Sequence, residues 1–159
     1  MRVERSMDIA AAPEEIYDVV TDANRLKDWV TIHQELVKAP SGSLKEGSKL
    51  TQRLKLAGRC FTVDWTVVQS DRARRVVWTG RGPVRSKASV TYELEPSGTG
   101  THFSYANEYD LPGGPLGRIA GPMVARVTTG ELDRSLDKLR KLVERQSDSP
   151  PSRHDGRSV

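Results

Sequence analysis

The chain is short of the residues that would tie it to a covalent framework, a bilayer or a metal. It has 1 cysteine, Cys60, in 159 residues, so an internal disulfide is excluded. No apolar run approaches the ~18 residues needed to cross a bilayer as a helix. The opening MRVERSMDIA lacks the apolar centre of a secretory signal, so a soluble cytoplasmic protein is expected. Its 3 histidines, His33, His102 and His154, have no metal-ligand spacing. The Gly113-Gly114-Pro115-Leu116-Gly117 stretch is followed by no Lys-Ser/Thr pair, so it reads as a hinge and not a phosphate loop. Neither a metal nor a cofactor is expected.

What is present is polar and charged. Apolar residues make up 36% and charged residues 29%, with a net charge of +4. These values suit a single domain with a modest core and polar outer faces. Arg72, Arg74 and Arg75 share one turn, but no basic run is interleaved with aromatics, so the pattern does not favour a nucleic-acid partner.

Val3, Met7 and Ile9 fall on one side of a first strand, broken by Arg5. Ala12-Pro13-Glu14-Glu15 opens a short helix, with proline at the first helical position and acids at the positive end of the dipole. Ile16, Val19 and Val20 form its apolar stripe. A second short helix is expected from Asn24 to Trp29, capped by Asp22 or Asn24. Residues 30–44 are irregular. From Lys49 the period becomes two. Leu50, Gln52, Leu54 and Leu56 share a face, as do Phe61, Val63, Trp65 and Val67. Ala57-Gly58-Arg59 is the turn between them. After Val76 to Thr79, Gly80 to Pro83 breaks the strand. Ala88, Val90, Tyr92 and Leu94 then alternate inward, before a Pro96-Ser97-Gly98-Thr99-Gly100 turn and then Phe103, Tyr105, Asn107 and Tyr109. Leu111-Pro112-Gly113-Gly114-Pro115 ends the strands. A helical pattern from about Leu116 to Gln146, interrupted near Gly121-Pro122, places Leu132, Leu136, Leu139 and Val143 on one face, continued upstream by Val124, Thr128 and Glu131. The domain spans residues 1–146, and residues 147–159 read as a disordered polar tail.

A sheet with one apolar face must cover it. The long helix, roughly 40 Å at ~1.5 Å per residue, is the element of matching length. The order of elements and three stretches, IAAAPEEIYDVVTDANRLKDWV, GRCFTVDWTVVQSDRARRVVWTGRG and VTYELEPSGTGTHFSYANEYDLPGG, resemble the START-like (SRPBCC) superfamily, with its birch-pollen allergens and its polyketide cyclase/dehydrase family. The resemblance implies an α+β helix-grip fold: a curved seven-stranded antiparallel sheet around a long C-terminal helix, with two short helices after the first strand. It also implies a cavity between sheet and helix. Trp29, Phe61, Trp65 and Tyr105 match places that line the pocket in aromatase/cyclases. The cyclase strand pattern Trp-x-Trp-x-Ser-x-Arg is replaced here by Phe61-x-Val63-x-Trp65-x-Val67.

The ligand-binding candidates are therefore Trp29, Gln52, Phe61, Trp65, Trp78, Tyr92, Tyr105, Asn107, Val124 and Thr128. Trp29 serves as anchor of the small helix or as a gate. Asn107 and Gln52 place amides on an apolar face, where an unpaired amide costs ~1–3 kcal/mol. Glu131 has Arg81 or Arg85 as a candidate partner. His33 is the histidine near an entrance. Cys60, without an activating neighbour, is inert. The function these residues suggest is binding of a hydrophobic small molecule such as a polyketide, lipid or isoprenoid-like compound, by a monomer or homodimer. No catalytic residue is assigned. The alternatives are a polyketide cyclase/dehydratase-type enzyme, with Arg53 and Arg81 as candidate pocket cations, and a partner-binding regulatory module.

Overall fold

The structure, a computed structural model, describes residues 2–56, 58–110 and 114–148. Ala57 of the expected first hairpin turn, the Leu111-Pro112-Gly113 breaker and most of the expected tail, from residue 149 onward, lie outside the described residues.

Strand β1, Arg2–Ile9, buries Val3 and Ile9. Arg5 interrupts its apolar side for a structural reason. It reaches the terminal helix and forms a two-pronged bond to Asp133, Nε to Oδ1 at 2.8 Å and Nη2 to Oδ2 at 3.0 Å. Helix α1, Pro13–Val20, starts at its proline and buries Ile16, Tyr17, Val19 and Val20. The second helical stretch is two pieces, a 3₁₀ turn at Ala23–Arg25 and helix α2 at Leu26–Trp29. Asp22 caps the turn by accepting from the Asn24 amide at 3.0 Å.

The segment read as irregular contains a strand, β2, at His33–Lys38. Its pairing with the next strand shifts register twice, between His33 and Glu35 and between Leu36 and Lys38. Those bulges erase the period-two signal. Strands β3 (Lys49–Leu56), β4 (Arg59–Asp71), β5 (Arg75–Arg81), β6 (Lys87–Ser97) and β7 (Gly100–Asp110) come next. All seven form one antiparallel sheet in the order β1-β7-β6-β5-β4-β3-β2.

Helix α3 runs from Gly114 to Asp148 with Pro122 inside it. The expected interruption near Gly121-Pro122 does not divide the helix. Proline removes one amide donor and strains one turn, and here that does not end the helix. Leu132, Leu136, Leu139 and Val143 are each 2% exposed or less. They cover the inner face of the sheet with about 2 kcal/mol of apolar burial per side chain. The result is a helix-grip fold, with α1 and α2 closing one end.

Candidate ligand cavity

The inward positions of β4 to β7 carry large rings, and these rings touch in sequence. Trp65 meets Trp78 edge-on at 6.0 Å between centroids, Trp78 meets Tyr92 at 5.8 Å, and Tyr92 lies 5.2 Å from Tyr105 and 5.8 Å from Phe103. The rings make a wall that is rigid because each is braced by the next. Gly80 makes room for it: a Cβ there would come within 2.6 Å of the Trp65 ring.

Between this wall and α3 lies a cavity of about 210 Å³. Its lining includes Gln52, Phe61, Trp65, Trp78, Tyr92, Tyr105, Asn107 and Val124. Two of the residues singled out from the sequence are elsewhere. Trp29 is fully buried behind the wall, against Tyr92 at 5.6 Å and Tyr105 at 5.7 Å. It packs α2 onto the back of the wall. Thr128 is buried on α3, toward the Tyr109 phenol, and is not in the lining. Tyr109, read from the sequence as an inward hydroxyl, is in the lining, and lining residues that the sequence pattern did not single out include Leu54, Gly82, Ser86 and Lys87. Lys87 and Ser86 sit at the mouth, Lys87 on the outward register of β6 at the first residue of the strand.

The polar groups of the wall are oriented by their partners. Trp65 Nε1 can only donate, and it donates to Gln52 Oε1 at 3.0 Å. That fixes the amide, so Gln52 Nε2 faces His33 Nδ1 at 2.8 Å as a donor. His33 Nδ1 must then accept, which puts the ring proton on Nε2. Burial lowers the His33 pKa below its usual 6.5, in agreement with a neutral ring. His33, the histidine expected near an entrance, therefore holds Gln52 in place.

Two polar atoms of the lining residues have no partner. Asn107 Nδ2 donates to the Tyr109 hydroxyl at 3.2 Å, but Asn107 Oδ1 is buried and unpaired, and so is Trp78 Nε1. Trp78 and Asn107 share one row across the sheet, through Val90. Two strand spacings put their backbones roughly 10 Å apart. Burial holds the phenols of Tyr92, Tyr105 and Tyr109 above their ordinary pKa of 10.0. They act as neutral hydroxyls, not as bases.

The other candidates lie outside the cavity. Arg53 and Arg81 are exposed, on the outer register of β3 and β5. Glu131 does not meet Arg81 or Arg85. It accepts from the Thr31 hydroxyl and pairs with Arg134. Burial opposes its charge, but the Thr31 and Arg134 hydrogen bonds outweigh that, and its pKa lies below the usual 4.5. Cys60 is exposed on the outer register. Among the described residues no cluster of ligating side chains could hold a metal, and no helix is long and apolar enough to cross a membrane.

Residues 1–144 match the family described as polyketide cyclase / dehydrase and lipid transport. The chain belongs to this family. Within the SRPBCC superfamily, an uncharacterised protein of Mycobacterium tuberculosis is 28% identical over 140 residues, covering 88% of this chain and 96% of that protein. A second protein of the same organism, named a toxin, is 23% identical over 120 residues, covering 74% and 83%. Among solved structures, an aromatase/cyclase from a Streptomyces species has the same fold, with a TM-score of 0.74 at 15% identity, over 94% of this chain and 96% of that one. The polyketide cyclase/dehydrase family membership implies a hydrophobic-ligand cavity, and the helix-grip architecture is common to both chains.

Proposed function

We propose that this cavity binds a small hydrophobic molecule that carries a hydroxyl at one end and a carbonyl-type acceptor at the other. The observation that carries this reading is the pair of buried, unpartnered atoms in an apolar wall, Asn107 Oδ1 and Trp78 Nε1. Each costs ~1–3 kcal/mol while unpaired. An occupant that donates to the amide and accepts from the indole would recover that energy. Gln52 is held too firmly between Trp65 and His33 to turn toward a ligand, so it serves as wall. Phe61, Tyr92, Tyr105 and Val124 supply apolar contact, and Trp29 and Thr128 act from behind the lining.

Size narrows the class. A cavity of about 150 Å³ holds a benzene, so about 210 Å³ suits one or two fused rings. A long polyketide, lipid or isoprenoid chain would have to extend through the mouth. Burying on the order of 200 Å² of such a ligand yields ~5 kcal/mol before association costs, which is weak binding unless the polar ends are met.

Tryptophan emission is the readout, since Trp65 and Trp78 line the space. 2-Naphthol and 2-acetylnaphthalene are expected to bind about tenfold more tightly than naphthalene, the worth of one hydrogen bond. Asn107→Leu is expected to remove the advantage of 2-naphthol alone. No emission change and no thermal stabilisation with any of the three would end the proposal. A cyclase/dehydratase-type activity is the second reading, supported by Lys87 as a lining cation at the mouth that could polarise a carbonyl. A Lys87→Met variant that turns over a poly-β-ketone mimic as well as the natural chain would remove that support.

A further inference from the structure

The cavity opens at the end of the sheet where β3 turns into β4, β5 connects to β6, and β7 ends. Leu56, Gly82, Ser86, Lys87 and Tyr109 of the lining mark that end. The same connections expose Lys55, Arg59, Arg81, Arg85 and Lys87. None of these five cations makes an ion pair among the described residues. Arg5, Arg25, Arg72 and Arg75, away from the mouth, are each paired, and Arg2, beside Lys87 at the β1 edge of the mouth, is held by Glu4 and Glu108; Lys38 and Lys49 at the opposite end of the sheet also make no ion pair among the described residues. Two acids face the five rim cations in the sheet register, Asp110 opposite Lys87 and Asp64 opposite Arg81; Asp64 accepts from the Thr51 hydroxyl and makes no ion pair with Arg81.

Two aliphatic side chains project from this rim. Val84, between β5 and β6, is 82% exposed, and Met123, one residue before the lining Val124, is 73% exposed. Val84 sits at φ 57°, a left-handed conformation that a β-branched residue adopts only under constraint. The fold thus holds an aliphatic group out in solvent beside unpaired cations. Among the described residues no ring on the rim is free to stack a base, since Phe61 and Tyr109 are both partly buried in the lining, and stacking is what single-stranded nucleic acid requires.

We infer that the rim docks the mouth of the cavity onto an anionic lipid surface. Lys55, Arg59, Arg81, Arg85 and Lys87 meet the headgroup phosphates, and Val84 and Met123 enter the boundary between headgroups and acyl chains. The purpose of the docking rests on the cavity reading: a ligand that prefers an apolar pocket is stored in membranes, and a mouth seated there spares it a passage through water.

The test is flotation of the full chain with vesicles of phosphatidylcholine alone or with equal parts phosphatidylglycerol. The protein is expected to float with the anionic vesicles only, and less so as salt is raised. Each cation near such a surface contributes about fivefold in partition. The triple variant Arg81→Glu, Arg85→Glu, Lys87→Glu is therefore expected to lose at least two orders of magnitude. Val84→Asp is expected to lose several-fold, and Lys38→Glu with Lys49→Glu, at the opposite end of β2 and β3, nothing. Near-ultraviolet circular dichroism establishes that each variant is folded. Equal flotation with both vesicle types, unchanged flotation of the triple variant, or capture by polyglutamate or RNA with the vesicles left unbound would overturn the inference. Ligand response by tryptophan emission is measured alongside. If the natural chain fails to float with anionic vesicles while its ligand response is present, this inference alone falls; if it floats but shows no ligand response, the cavity reading alone falls.

Discussion

Gly80 stands where two neighbours leave no room for a side chain. A Cβ would meet the Trp65 ring at 2.6 Å and Val63 Cγ1 at 2.7 Å, and both are buried in a wall that cannot yield. Gly80→Ala is expected to cost about 1–3 kcal/mol by overpacking and to tilt Trp65, seen as a lowered melting temperature with an altered tryptophan spectrum. Gln52 is the complementary case. Gln52→Leu leaves Trp65 Nε1 buried without an acceptor, and a loss of about 1–3 kcal/mol in urea unfolding is expected. His33 gives a pH test with a definite sign. Its folded pKa lies below the ordinary 6.5, so the folded state resists taking a proton that the unfolded chain accepts. Its contribution is complete above the unfolded value and is lost as pH falls below it toward the folded one. Unfolding free energy between about pH 7 and 5 is expected to slope less in His33→Gln, and an unchanged slope would show that the ring does not titrate against Gln52.

At the scale of elements, α3 supplies the cover for the sheet, and its grip is concentrated in one stripe. Leu136→Ala, at 1% exposure, is expected to destabilise by about 2–5 kcal/mol, measured by denaturant midpoint at constant slope. The elements themselves were legible where burial and periodicity coincide. The period-two faces of β3, β4, β6 and β7 and the 4-3-4 spacing of α3 are direct images of one buried side. The strand β2 was not legible, because two register shifts in six residues break the alternation that would have revealed it. The cavity was partly legible. Inward aromatics could be assigned from parity, but parity cannot tell a ring at the cavity surface from one behind it. Trp29, carried on α2, was grouped with them from its helical spacing to Leu26, which says as little about depth. Lys87 escaped notice because its parity in β6 points outward, and only its place as the first residue of the strand, at the mouth, brings it into the lining. The tie between Gln52 and His33 joins residues from two strands whose pairing is bulged, so no spacing in the sequence encodes it.

For the whole molecule, occupancy and stability are linked. A ligand at one hundred times its dissociation constant adds about 2.7 kcal/mol, so a cavity binder reveals itself as a rise in melting temperature before its chemistry is known. The sheet order has a separate consequence. β1 pairs with β7, Val3 opposite Asn107 and Ile9 opposite Thr101. The first strand to leave the ribosome thus has no neighbour until the last has been made. The hairpins from β3 to β7 can assemble locally, whereas closing β1 onto β7 joins distant parts of the chain and meets its loop entropy late. Substitutions in β1 such as Ile9→Val are expected to hasten unfolding while leaving the refolding rate nearly unchanged. A nascent chain stalled before β7 would carry β1 as an unclaimed ribbon, open to chaperones and proteases until β7 has emerged.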